Sequence, residues 1–357
     1  MPQFYPLKIK DIKRSTPESV VLSLEPETDD IARFSYKHGQ YLTFRKRFDG
    51  EEFRRSYSIC SSLDDHSLRV GIKKVDGGGF SVWANEMAQE GDVLEAMSPL
   101  GNFTYPPVES AAHHYLGIAA GSGITPILSL MKTLLEREPN SSFSLLYGNR
   151  SISSIMFRDE IEDLKNIYMD RLSVHYVLST GSDLDLFSGR IDAEKCERFF
   201  TSLYDVDSLD RAFICGPEQM IFMLRDILIE KGMPSDHIQF ELFGAPQQGR
   251  LKQARETSTV DTSKEICAAE IIIDGVAHRI NIKGRETSVL DAALEAHLDA
   301  PYACKAGVCS TCRARVVEGE YEFVTNYALE DYEVEQGFVL SCQCFPKGER
   351  LVIDYDH

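Results

Sequence analysis

A chain of 357 residues exceeds what one ordinary hydrophobic core supports, so two or three domains are expected. Its formal charge of −18 excludes a nucleic-acid binder, which needs clustered lysines and arginines; the acid excess serves either solubility or docking to a basic partner. The opening "MPQFYPLKIKDIKRS" lacks the apolar run of a secretory signal, and nine cysteines, an odd number, do not make a disulfide framework, so a cytoplasmic protein whose clustered thiols hold metal is expected.

From the N-terminus to Pro107, short β-type runs follow one another: "SVVLSLEP", "QYLTFRKRF", "FRRSYSI", "LRVGIKKV" and "DVLEAM". Closely spaced strands with little helix between them predict an antiparallel β-barrel over residues 1–107. Within it, strand alternation puts Arg55 and Tyr57 on one face and Ser58 on the other. An arginine can clamp a pyrophosphate, a tyrosine can stack on a flat ring and a serine can hydrogen-bond a ring nitrogen. A surface arginine beside a core tyrosine has the same spelling. In "GGGFSVWANEM", Gly78, Gly79 and Ser81 stand before a helix, where free amides and the helix dipole favour a phosphate. A plain glycine turn with Ser81 as N-cap is the alternative.

From Val108 the pattern becomes strand then helix, repeated. "YLGIAAG" leads to "PILSLMKTLLERE", "FSLLYGN" to "MFRDEIEDLKN", and "LSVHYVLS" on to "RAFICG" and "PEQMIFMLRDILIEKG". Met220, Leu224, Ile227 and Leu228 share one helical face, and a parallel α/β sheet covered on both sides is predicted over 108–244, closed by "IQFELF". Tyr115 to Met131 is free of charge, but Gly121, Gly123 and Pro126 break it into strand, turn and helix, so no membrane span is expected. The turn "AAGSGITP", with Gly121, Gly123, Thr125 and Pro126, occupies the normal phosphate-binding place after a first parallel strand, although Pro126 replaces the third small residue of the dinucleotide fingerprint. After the next strand come Arg150 and Ser151 and no carboxylate, which favours the 2′-phosphate of NADPH over NADH. Cys215 and Gly216 end a later strand on the ligand side of the sheet, where a lone buried cysteine reads equally as core.

Residues 245–263 are polar and aperiodic, a linker expected to be mobile. The last module, 264–357, opens with two strands turning at Asp274-Gly275 and a helix capped by Ser288 with Asp291. Its thiols are spaced Cys304-x4-Cys309-x2-Cys312, with Cys342 after 29 further residues. Zinc sites more often pair CxxC with CxxC; this spacing is that of a plant-type 2Fe-2S ferredoxin. Ala303, Ala306, Gly307 and Ser310 are small enough for the loop to wrap inorganic sulfide. Cys344 would share a strand face with Cys342 and is either a substitute ligand or a buried bystander.

Taken in order, these motifs resemble the ferredoxin-NADP reductase superfamily fused to a C-terminal plant-type ferredoxin, over nearly the whole chain. "DGEEFRRSYSIC", "AAGSGITPILSLM", "YGNRSISSIMFRDE", "FICGPEQM" and "DAPYACKAGVCSTC" are similar to the reductase components of phenylacetyl-CoA epoxidase (ring 1,2-monooxygenase) complexes. The resemblance implies an FAD barrel, an NAD(P)-binding α/β domain and an α+β ferredoxin domain of β-grasp type. It assigns Arg55 to the FAD pyrophosphate, Tyr57 to the isoalloxazine and Ser58 to the flavin N5, with Gly78, Gly79 and Ser81 as a second pyrophosphate turn. Gly121, Gly123, Thr125 and Pro126 match the nicotinamide-nucleotide turn, Cys215 lies near the nicotinamide, and Glu241 and Phe243 stand beside the flavin. Ser58, Cys215 and Glu241 are then the catalytic group, and Cys304, Cys309, Cys312 and Cys342 the iron ligands. The family's Pro-Gly-Gln before the flavin strand reads His38-Gly39-Gln40 here. Electrons would pass from NADPH through FAD and the cluster to a di-iron oxygenase; reductases of Rieske-type, aromatic-ring and steroid hydroxylases using NADH share the domain order. A nucleic-acid or membrane partner is not implied. The last module's 17 acidic against 9 basic residues would steer it to a basic oxygenase surface or simply serve solubility.

Overall fold

The first strand is one that the residue pattern conceals. β1 (Tyr5–Thr16) carries lysines at 8, 10 and 13 and buries Leu7 and Ile9, and register shifts at Ile9/Asp11 and Arg14/Thr16 break its alternation. A bulge inserts an extra residue and flips the faces beyond it, so no clean period of two survives. The computed structural model describes residues 3–48, 50–182, 184–243, 266–284 and 286–356. Its contacts group the chain into two compact units, one of Tyr5–Phe53 with Tyr57–Phe243, the other, among the described residues, of 3–4, Arg54–Ser56, 266–284 and 286–356. The expected linker, 245–263, lies outside the described residues.

In the first unit, β1 joins β2 (Ser19–Pro26), β3 (Tyr41–Phe48), β4 (Glu51–Ser58), β5 (Leu68–Lys73) and β6 (Val93–Ala96) in the order β4-β3-β6-β1-β2-β5. The pairs β1–β2, β1–β6, β2–β5 and β3–β6 are antiparallel. An Ile59–Val70 bridge, with the Cys60 amide donating to Arg69 O at 2.9 Å, brings the chain just past β4 back to β5 and closes the barrel. Helix α1 (Gly79–Glu86) plugs it with Phe80 and Trp83, the Phe80 ring 5.7 Å from that of Phe44. The helix starts earlier than its composition implies. Gly78 is the N-cap, so Gly79 and Ser81 lie inside the first turn rather than ahead of it.

The same unit continues as a parallel sheet. Strands β7 (His114–Ala120), β8 (Ser142–Asn149), β9 (Leu172–Leu178), β10 (Arg211–Gly216) and β11 (Ile238–Leu242) stand in the order β11-β10-β7-β8-β9. They alternate with α2 (Ile124–Arg137), α3 (Arg158–Ile167), α4 (Ala193–Ser202) and α5 (Glu218–Glu230). The strand order reverses direction at β7, so the crevice for a ligand opens at the carboxyl ends of β7 and β10. The charge-free run resolves into β7, a short 3-10 turn Gly121–Gly123 and α2, and among the described residues no helix is long and apolar enough to cross a membrane.

The second unit is a mixed sheet. β12 (Ile266–Ile273), β13 (Val276–Lys283), β14 (Arg313–Phe323), β15 (Phe338–Leu340) and β16 (Cys344–Asp354) run β13-β12-β16-β14-β15, with β12 and β16 parallel. Helix Val289–Glu295 lies across it through Val289, Leu290 and Ala293, packed with Ile271, Leu351 and Ile353. The hairpin turns where expected: Asp274 (φ 55°) and Gly275 (φ 72°) both take the left-handed conformation that two-residue hairpins need, and Asp356 accepts both their amides at 2.7 Å. Ser288 caps the helix, accepting from the Asp291 amide at 3.1 Å and donating to its carboxylate at 2.8 Å. An antiparallel barrel, a parallel α/β sheet and an α+β module thus follow one another along the chain.

Candidate active site and thiol loop

Three chain segments far apart in sequence meet at the carboxyl end of the parallel sheet. Ser58, ending β4 with 3% exposure, donates its hydroxyl to Glu241 Oε2 at 3.0 Å. Glu241 on β11 stands in register with Cys215 on β10. A Cβ on Gly123 would lie 2.3 Å from Cys215 O and 2.6 Å from its carbonyl carbon, so only glycine lets the turn after β7 sit against β10. At Gly216 a Cβ would come within 2.6 Å of Met220 Cε. Thr125 fastens the turn by donating to Ser122 O at 3.0 Å, and Pro126 sits in the first turn of α2, where its missing N–H costs no helical bond.

Burial pushes the Glu241 carboxyl up to about 8, against the opposing pull of the Ser58 hydroxyl. Burial, and after it the Glu241 charge, also drives the Cys215 thiol well above its usual range. At neutral pH the cluster therefore presents a hydroxyl, a thiol and a protonated carboxyl. It carries neither a nucleophile nor a fixed charge, which suits an uncharged redox ring held in place by phosphates elsewhere.

On β4, Arg55 is exposed and Tyr57 half-buried, its ring anchored 5.5 Å from Phe80 and 6.2 Å from Phe44. The amides of Gly79, Phe80 and Ser81 precede the first helical bond of α1, Val82 N–H to Gly78 O, while the Ser81 hydroxyl accepts from the Val75 amide at 3.2 Å and closes the turn. A stacking ring, a nearby cation and a turn of open amides fit a flavin dinucleotide. Beyond β8, Arg150 is exposed, and its carbonyl accepts from the Thr180 amide at 2.9 Å and hydroxyl at 3.0 Å. Ser151 forms a capping box with Ser154. Phe243 follows β11 and packs on the core that contains Cys215. One residue escaped the sequence reading: Lys73, ending β5, has its Nζ 3.9 Å from where a Gly121 Cβ would be. Only the closure of the barrel onto the parallel sheet brings this cation to the nucleotide turn.

In the second unit the thiols gather in two pairs. Cys309 donates to Cys304 Sγ at 3.1 Å, and Cys312 is hydrogen-bonded to Cys342. The Cys309 thiol, then the amides of Ala306, Val308 and Cys309, hold Cys304 below the ordinary thiol range despite burial. Gly307 (φ 76°) allows the loop's close approach, since a Cβ there would meet Thr325 O at 2.8 Å; Ala303 and Ala306 are buried. Among the described residues no three His, Cys, Asp or Glu side chains are arranged around a single ion. Two pairs of thiols are the donor set of a two-iron cluster, in which each iron takes two protein ligands, and the loop fits that group. Cys342 lies in the turn Ser341–Gln343 and Cys344 begins β16, so the two do not share a strand face. Cys344 is fully buried in the core, where burial and then the Cys342 charge push its thiol up to about 12.

Three family models match the chain: an oxidoreductase FAD-binding domain over residues 6–105, an oxidoreductase NAD-binding domain over 118–226, and a 2Fe-2S iron-sulfur cluster binding domain over 271–347. Across its whole length it is 39% identical to one of the subunits of 1,2-phenylacetyl-CoA epoxidase from Escherichia coli (strain K12), covering 99% of that protein. It is 30% identical to the ferredoxin reductase component of 3-ketosteroid-9-alpha-monooxygenase of Mycobacterium tuberculosis (strain H37Rv), covering 98% of this chain and 95% of that one. Phthalate dioxygenase reductase, a modular structure for electron transfer from pyridine nucleotides to 2Fe-2S, shares the fold with a TM-score of 0.58 at 23% identity and 98% coverage of each chain.

Proposed function

Because the chain belongs to the family of oxygenase reductases that join FAD, NAD and 2Fe-2S domains in one polypeptide, we propose that it carries electrons from NADPH to the di-iron component of a phenylacetyl-CoA epoxidase. The observation that carries the reading is the Ser58–Glu241 hydrogen bond, which joins the flavin-type strand of the barrel to β11 beside Cys215 and the Gly121–Gly123 turn. Full-length identity of 39% to a component of such an epoxidase supports the partner, and the exposed Arg150 supports the 2′-phosphate.

When bound, FAD supplies the two-electron acceptor and the cluster the one-electron carrier. The chain's part is binding, orientation and control of charge. Tyr57 offers a ring face braced by Phe80, Arg55 a guanidinium, and Gly79 and Ser81 their amides for the flavin pyrophosphate, while Gly78, whose amide donates to Val75 O at 2.9 Å, shapes the turn. Gly121, Gly123, Thr125, Pro126 and Gly216 shape the coenzyme crevice, with Lys73 toward its pyrophosphate and Arg150 and Ser151 toward the ribose end. Ser58 is held by Glu241, which, accepting at Oε2, keeps its proton on Oε1 at pH 7. Phe243 and the buried Cys215 exclude water from that corner. Cys304 with Cys309, and Cys312 with Cys342, hold the cluster.

Arg150→Ala will raise KM for NADPH by about 10- to 100-fold, the worth of a hydrogen bond to a charged group, and leave KM for NADH within about twofold. Equal changes for both coenzymes would remove the 2′-phosphate assignment. Reconstitution with purified di-iron epoxidase component, in parallel with a Rieske-type hydroxylase, tests the acceptor: turnover with the second alone would move the protein to the NADH-linked hydroxylase reductases.

A further inference from the structure

Helix α2 is buried on nearly its whole circumference, yet one stripe of it is polar: Thr125, Ser129, Lys132, Thr133 and Arg137 recur at helical spacing. Every one of these faces the barrel. The Thr125 methyl would be 2.9 Å from a Cβ on Gly71 of β5. Ser129 donates to Ser61 O at 2.6 Å, and Thr133 Oγ1 accepts from the Leu63 amide at 3.3 Å. Lys132 Nζ reaches Asp65 at 2.6 and 2.8 Å and Glu160 of α3 at 2.8 Å; Arg69 of β5 holds Glu160 at 2.8 Å and Asp65 at 3.3 Å. Arg137 grips Asp64 through two bonds of 2.8 Å.

The segment that receives these bonds, Ser61–Asp65, begins three residues after Ser58. Tyr36 pins it from the other side, donating to Ser62 O at 2.6 Å and accepting from the Ser61 hydroxyl at 3.0 Å. The helix that makes them is entered through its N-cap Gly123, which sits against Cys215. One rigid element therefore connects the two ends of the site. Although burial opposes it, Lys132 and Arg69 keep Asp65 and Glu160 below the usual carboxylate range, so both carboxylates are ionised at neutral pH. Apolar packing alone tolerates sliding of a helix, whereas an ammonium caught between two carboxylates and braced by Arg69 fixes its register.

We propose that α2 is a strut that sets the distance between the flavin strand and the coenzyme turn, and that Lys132, at its centre, is a positioning residue for hydride transfer. It touches no reacting group. The inference rests on the function proposed above, and a misplacement of about 1 Å at such a site costs on the order of 100-fold in rate.

The test is stopped-flow reduction of the FAD-loaded full chain by NADPH, with Lys132→Met, Lys132→Arg and Ser129→Ala. Lys132→Met is expected to slow flavin reduction at saturating coenzyme by about 10- to 100-fold with coenzyme Kd changed less than about threefold; Lys132→Arg restores most of the rate. Ser129→Ala, which deletes only one hydroxyl, slows it in the same sense and carries the test if Lys132→Met does not fold. Variants that lose thermal stability but reduce flavin within about twofold of wild type overturn the proposal. So does a loss of rate that tracks loss of bound FAD. Wild-type protein whose flavin neither coenzyme reduces would instead overturn the function itself.

Discussion

Serine in place of Cys312 will abolish the visible absorption of the cluster and lower electron delivery through it at least about 100-fold, while flavin reduction by NADPH stays within about twofold of wild type. Even the groups surrounding a metal ligand are worth about 10- to 100-fold in affinity, so removing a ligand costs no less. Cys312 is 1% exposed and is the partner of Cys342, and in the proposed cluster its loss would leave one iron with a single thiolate. The thiol loop belongs to a different unit from Ser58, Cys215 and Glu241, each with its own core, so damage in one leaves the other intact. Iron content, the visible spectrum and the rate of flavin bleaching read the three parts separately. Cys344→Ala is the control: a buried core thiol outside both pairs, its replacement lowers the melting temperature and leaves the iron in place. A Cys312→Ser protein that keeps two irons would place that ligand elsewhere, with Cys344 the remaining thiol that the spacing offers.

The second large effect lies at the flavin strand. Ser58→Ala removes the hydroxyl that fastens the end of the flavin strand to Glu241 and is expected to slow flavin reduction by about 100-fold, the cost of a misplacement of about 1 Å at such a site. Glu241→Gln keeps a neutral partner for Ser58 and gives a different signature, in pH. The wild-type carboxyl is neutral below about 8 and ionised above it, so kcat/KM for the coenzyme bends near pH 8, and Glu241→Gln lacks the bend. Stability follows the same group. Its folded pKa of about 8 exceeds the ordinary 4.5, so the folded protein holds a proton that the unfolded chain releases. The stabilisation is complete below about 4.5 and is lost as pH rises to about 8, a decline that Glu241→Gln abolishes. A bend that persists unchanged in Glu241→Gln would assign the titration to another group.

The parts of the fold that were legible are those whose local pattern agrees with their surroundings. "SVVLSLEP" is β2 and "RAFICG" is β10 to the residue, because β-branched and apolar runs buried in a sheet leave little choice. β1 was hidden by lysines on its outer face and by two bulges. Helix α4 is masked in the sequence by its net polarity, although Asp192 caps it, accepting from the Lys195 amide at 2.9 Å, and Cys196, Phe199 and Phe200 mark its buried face. The thiol spacing is local and was readable, but the grouping of Cys304 with Cys309 and of Cys312 with Cys342 needed the turn that carries Cys342. Likewise Arg55, Tyr57 and Ser58 are neighbours in the chain, whereas Lys73 beside Gly121, and the Asp65, Arg69, Lys132 and Glu160 set, exist only once the barrel and the parallel sheet are packed together. A surface lysine and one that bridges two carboxylates are spelled alike.

The central claim is a single electron path from coenzyme through flavin to cluster, and an anaerobic visible titration of the purified, iron-reconstituted protein with NADPH tests it most directly. Flavin and red-brown cluster bands should both be present and both bleach as coenzyme is added, with the cluster lost in Cys312→Ser and the flavin step slowed in Ser58→Ala. Flavin that bleaches in a wild-type protein without cluster absorption, with zinc in place of iron, would contradict it.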